Sequence, residues 1–124
     1  MKKQLVIPRS FLEALHHLSL PADDQLTELE NMGCSGVIDE LALALNDHFT
    51  IAVSLLRAGV ISRGQFDVFL DLDTHLNNMS GEDNADLWTI RSLKEDGCWE
   101  AIRKSAGQLY AELSLLTHSS DSRE

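Results

Sequence analysis

The end of the chain places Trp99, Ile102, Ala106, Leu109, Leu113 and Leu116 in steps of three and four. Only an α-helix gathers such a series onto one face. The same period recurs upstream. Phe11, Leu12, Leu15 and Leu18 share one face before Pro21. Leu26, Leu29 and Met32 follow it, with Asp23 and Asp24 suited to a helix N-terminus. Phe66, Phe69, Leu72 and Leu76 form a later stripe, with Leu70 beside them. Alternating β-branched runs are missing, and Asp96-Gly97 lies between helical patterns rather than in a hairpin.

Boundary signals divide this pattern into elements. Ser10 with Glu13 and Ser62 with Gln65 have capping-box spacing, and Thr89 and Asp96 are suited to the starts of later helices. Gly33-Cys34-Ser35-Gly36 reads as a turn, and Gly59 as a left-handed stop. Between them, Val37 to Ala58 predicts one long helix. Its stripe is Ile38, Leu41, Leu45, Phe49, Ala52 and Leu56, and its second half is enclosed nearly all round. The expectation is an all-α fold: a compact single-domain bundle over 1–124, with about five to six helices around that central helix. The segments 1–8 and 117–124 are expected to fray. Trp88 and Trp99 are expected to be core anchors whose indole N–H groups need acceptors.

Charge is the second constraint. Ser10 to Leu56 contains eight carboxylates and no Lys or Arg, and Gly64 to Ile90 contains Asp67, Asp71, Asp73, Glu82, Asp83 and Asp86, again with neither. The formal net charge is −10. Phosphate backbones and anionic membranes attract clustered cations, so neither nucleic acid nor a membrane surface is an expected partner. Arg103-Lys104 reads as a solvated pair, too small for a nucleic-acid patch. The short apolar run Leu5-Val6-Ile7 does not make a signal peptide, and Cys34 and Cys98 make no disulfide framework. A reducing, cytoplasmic location is expected.

Chemistry-bearing patterns are sparse. Asp67, Asp71 and His75 share a helix face, but a metal site needs ligands from a second element. No nucleophile elbow or glycine-rich phosphate loop occurs. Neither catalytic residues, nor a metal, nor a cofactor is therefore expected, and the chain reads as a non-enzyme.

The stretch Leu87-Trp88-Thr89, Leu93, Trp99-Glu100-Ala101-Ile102-Arg103, Ala106 and Leu109 resembles the C-terminal pattern of small, acidic, helical bacterial proteins. Several of these are immunity partners of polymorphic or contact-dependent growth inhibition toxins. The resemblance covers about the last third of the chain and rests on packing residues. It implies a protein that binds and blocks one toxin domain, and it carries no catalytic residues. A nuclease-type toxin would be basic, which agrees with the charge argument. The expected contact residues are Asp67, Asp71, Asp73, Glu82, Asp83 and Asp86, with Asp39 and Asp47 as second choice. The chain itself would be a monomer or weak homodimer. A chaperone-like or regulatory adaptor is the alternative, and a small helical enzyme is the third reading.

Overall fold

The computed structural model describes residues 7–33, 38–79 and 82–122, with side chains described through residue 116 except that of Glu82. Seven α-helices and one 3-10 helix occur among these residues, and no strand. The all-α expectation is borne out. One buried cluster takes side chains from every α-helix.

Helix α1 (Arg9–Ser19) starts earlier than its sequence signal. Pro8 is the extended N-cap, and its carbonyl accepts from the amides of Phe11 and Leu12. Ile7 is buried beside it. Ser10 therefore lies inside the helix, and no side-chain cap forms there. Leu20 is extended, as the residue before a proline prefers. Pro21 then caps α2 (Ala22–Asn31), with Asp23 and Asp24 in the first turn. This helix buries Gln25 and Leu29 and half-buries Leu26. Met32, expected inward, is 47% exposed, because it sits at the C-cap where the chain turns at Gly33 with φ +79°. The remainder of the turn expected over Gly33 to Gly36 lies outside the described residues.

The helix expected over 37–58 is two helices, α3 (Asp39–Asn46) and α4 (Phe49–Arg57). Its first residue, Val37, is outside the described residues. The break falls at Asp47 and His48, and His48 has φ −102° and ψ 11°. His48 is held there by a tertiary clasp: Nδ1 lies 2.7 Å from the Ala44 carbonyl and Nε2 3.1 Å from Ser10 Oγ. Its ring meets Phe11 edge-on. The break turns Ala52 and Leu55 inward and leaves Phe49, Thr50, Ser54 and Arg57 exposed, so α4 is not enclosed all round. At its C-terminus Gly59 adopts φ +77°. The Gly59 amide donates to Leu56 and the Val60 amide to Leu55, a Schellman closure.

Helix α5 (Arg63–Asn78) opens with the expected capping box of Ser62 and Gln65 and buries Phe66, Phe69, Leu72 and Leu76. A 3-10 helix (Glu82–Trp88), kinked at Asn84, leads to α6 (Ile90–Glu95), which Thr89 caps. Helix α7 (Gly97–Ser122) begins where Asp96 Oδ1 accepts from the Cys98 amide at 2.9 Å. It packs most extensively on α1, and also on α5 and α6, so the last helix rather than the third is the central one. Its seam is buried through Leu113, while Leu116 is exposed. Trp88 and Trp99 meet edge-to-face at 5.3 Å. Their indole N–H groups donate to the carbonyls of Met79 and Leu87. Of the termini expected to fray, residues 1–6 and 123–124 lie outside the described residues.

Candidate functional site

Helix α5 buries a stripe in steps of three and four, so the residues between must face water. Asp67, Asp71, Thr74 and Asn78 form that outward face, and all are exposed. Asp67 pairs with Arg63 at 3.2 Å, one helical turn away. Both partners are largely in water, so the pair is a weak clamp. Among the described residues Asp71 has no such partner.

Asp73 differs from both. It sits on the flank of α5 that faces the end of α3, half-buried. Its Oδ1 accepts from Asn46 Nδ2 at 3.2 Å, and its Oδ2 from Asn77 Nδ2 at 3.3 Å. Two neutral amides thus orient the carboxylate without cancelling its charge. Asp47 follows Asn46 at the C-cap of α3. The structure therefore joins two regions that the sequence separates, the α5 flank at Asp73 and the α3 end at Asn46 and Asp47, while Asp67 and Asp71 lie on the outward face of α5.

Asp39 lies in the first turn of α3, about 12 Å along the helix from Asp47. There a carboxylate stabilises its own helix. Asp47 stands between two helix ends, the negative C-terminus of α3 and the positive N-terminus of α4, so the helix dipoles give it no clear net stabilisation. Asp83 and Asp86 are exposed on the 3-10 helix. That segment is tied to the end of α5, where Asn84 Nδ2 donates to the Asn78 carbonyl and Trp88 Nε1 to the Met79 carbonyl. Neutral donors again satisfy the negative pole of a helix. Glu82 opens the segment, and its side chain lies outside the described residues. Asp86 also lines an open groove with Leu87, Thr89, Arg91, Ser92, Glu95 and Asp96.

Among the described residues, Asp39, Asp47, Asp71, Asp73, Asp83 and Asp86 have no cation within ion-pair distance. Three cations are engaged with other carboxylates: Arg63 with Asp67, Arg91 with Glu95, and Lys94 with Asp23. Arg103 is half-buried, not solvated; it donates to the Leu93 carbonyl and to Gln25 Oε1. Burial lowers its pKa, with the Glu100 carboxylate opposing.

Other candidate chemistry is thin. No group of three or more His, Cys, Asp or Glu among the described residues is placed to hold a metal ion. The Cys98 thiol is raised above its ordinary pKa, chiefly by its hydrogen bond with Asp96. That is the reverse of an activated thiolate. No helix among the described residues is long and apolar enough to cross a membrane.

Sequence reasoning missed the apolar neighbours of the carboxylates. Leu43 on α3 is 51% exposed, Phe49 on α4 36% and Leu70 on α5 37%. Leu70 could have been found, since it falls off the Phe66–Leu76 stripe and has Asp67 and Asp73 three residues to either side. Phe49 was hidden by the break at His48.

Compared with protein-family models, curated protein sequences and solved structures, the chain matches none of them.

Proposed function

We propose that the chain is an immunity-type inhibitor that binds one basic toxin domain, of nuclease type, and neutralises it through its acidic surface. The observation that carries this reading is the group of Asp47 and half-buried Asp73 at the α3–α5 junction with Asp71 on the adjoining outward face of α5, none of which has a cation within ion-pair distance among the described residues. Uncompensated carboxylates on a packed helical scaffold steer a cationic macromolecule and fix its orientation. A nuclease must carry a basic cleft for phosphate, and such a cleft complements this surface. The resemblance of the Leu87–Leu109 stretch to immunity proteins points the same way. Its residues Leu93, Trp99, Ile102, Ala106 and Leu109 are buried, so recognition falls to the carboxylates outside it. The protein would act in the cytoplasm, on a protein and not on nucleic acid or lipid.

A chaperone-like or regulatory adaptor is the second reading, favoured by the exposure of Leu43, Phe49 and Leu70. The acidic rim of that patch selects against a purely apolar client.

The test is capture from the source cell with the intact chain as bait. The recovered partner is then expressed alone and together with the chain. A basic domain that kills alone and is harmless in company supports inhibition. Recovery of many unrelated clients, or toxicity that persists in company, overturns it.

A further inference from the structure

Three exposed apolar side chains sit beside the carboxylates at the α3–α4–α5 corner. Phe49 packs outside Phe66 and Phe69, with ring centroids at 6.5 and 6.1 Å. Leu70 follows Phe69 and lies one turn beyond Phe66. Leu43 precedes Asn46 by one turn, and Asn46 reaches Asp73. Leu43 and Leu70 thus each lie one turn from a member of the Asn46–Asp73 hydrogen bond, and Phe49 lies against the α5 aromatics two residues after Asp47, which places all three at this corner with Asp47 and Asp73. Leu43 is half exposed, while Phe49 and Leu70 each keep more than a third of their surface in water although they pack partly on the core.

We infer that this corner is the specificity-determining centre of the binding surface, and that it receives a cationic amphipathic segment of the partner. On that segment, apolar side chains would lie between lysines or arginines. The inference rests on the reading of the chain as a binder of a basic protein and names which part of its surface decides the fit. Charge complementarity selects the occupant. A second copy of the chain would bring Asp47 and Asp73 against identical carboxylates, and like charges juxtaposed at an interface are costly. A lipid surface is excluded by the same sign.

The chemistry divides between two kinds of contact. Carboxylates speed encounter and orient the partner, but exposed charges alone leave the complex short-lived. Leu43, Phe49 and Leu70 add apolar area that leaves water only when the partner is seated. Asp73 is oriented in advance by Asn46 and Asn77, so little ordering remains to be done on binding. The other carboxylates, Asp83 and Asp86, lie on the 3-10 helix beyond the end of α5 and supply long-range attraction.

The probe is a synthetic leucine–lysine peptide with helical spacing, compared with a leucine–glutamate twin and a serine–lysine twin. Binding is followed by amide resonance shifts on the intact chain. The leucine–lysine peptide should shift Asn46, Asp47, Leu70 and Asp73, the glutamate twin should not bind, and the serine twin should bind weakly. Leu43→Ser with Leu70→Ser removes two exposed side chains, spares the buried core, and should weaken the peptide about tenfold. Shifts centred on Asp83 and Asp86, indifference to the double substitution, or self-association through this corner would each overturn the inference. The captured toxin domain separates this inference from the one beneath it. If that domain binds the double variant with unchanged affinity, the corner is wrong and the inhibitor reading stands. If the peptide seats on the corner but no toxicity is relieved, the inhibitor reading is wrong and the corner stands.

Discussion

The side chain of Gln25 accepts a hydrogen bond from Arg103 Nε at 3.3 Å, across a chain separation of 78 residues. Gln25 is fully buried, and its Nε2 donates to the carbonyls of His17 and Leu18. Those carbonyls lie in the last turn of α1, where intrahelical donors run out. Arg103 in turn donates to the Leu93 carbonyl near the end of α6. Two side chains therefore close two helix ends and pin α1, α2, α6 and α7 together. Gln25→Leu keeps the size but leaves a guanidinium and two carbonyls short of partners. It should destabilise the fold by about 2–3 kcal/mol in urea titration. Lys104→Ala, one residue along and exposed, should change stability little. Equal effects from the two would refute this account.

Trp99 offers a sharper version of the same test. Its ring is fully buried, and its Nε1–H donates to the Leu87 carbonyl at 2.7 Å. Trp99→Phe keeps an aromatic ring against Trp88 but removes that donor and some volume. The expected loss is about 2–4 kcal/mol, read from the denaturation midpoint. Trp88→Phe should cost less, because Trp88 is only half-buried.

The start of α7 makes the fold sensitive to acid. The backbone N–H of Cys98, and then its thiol, hold the Asp96 carboxyl below its ordinary value of 3.8. A carboxyl whose folded pKa lies below its unfolded one stabilises the fold above the unfolded value. That contribution is lost as pH falls through the folded value. The melting temperature should therefore drop as pH is lowered from about 4. Asp96→Asn keeps a capping oxygen but cannot titrate, so its profile should be flatter over that range. Parallel profiles for the two proteins would remove Asp96 as the cause.

What was legible in the residues was local. Ser62 with Gln65, Thr89, and Asp96 act over two or three positions, and each forms the cap its spacing predicts. Ser10 with Glu13 has the same spacing and fails, because Pro8 and buried Ile7 start the helix two residues sooner. The break at His48 depends on Ser10 and Phe11, far away in sequence, so no periodicity in 37–58 could reveal it. Arg103 reads as solvated until Gln25 is seen beside it. The carboxylates were countable from the start. The bond between Asn46 and Asp73 across α3 and α5, and the exposed leucines and phenylalanine near it, belong to tertiary packing.

The acidic surface itself can be tested without disturbing the core. Asp67 and Asp71 are exposed on α5, and among the described residues the one ion pair they make is the weak one of Asp67 with Arg63. Converting both to lysine should leave the unfolding midpoint nearly unchanged, since an exposed pair contributes about 0.2–1 kcal/mol. Association with the captured basic domain should slow by about tenfold or more at low salt, and the difference should shrink as salt is added. The matched control is Glu13→Lys with Glu30→Lys, which alters net charge equally at exposed positions on α1 and near the end of α2. If the control slows association as much, bulk charge and not the α5 face does the steering. If neither pair of substitutions changes the rate, that face plays no part in recognition.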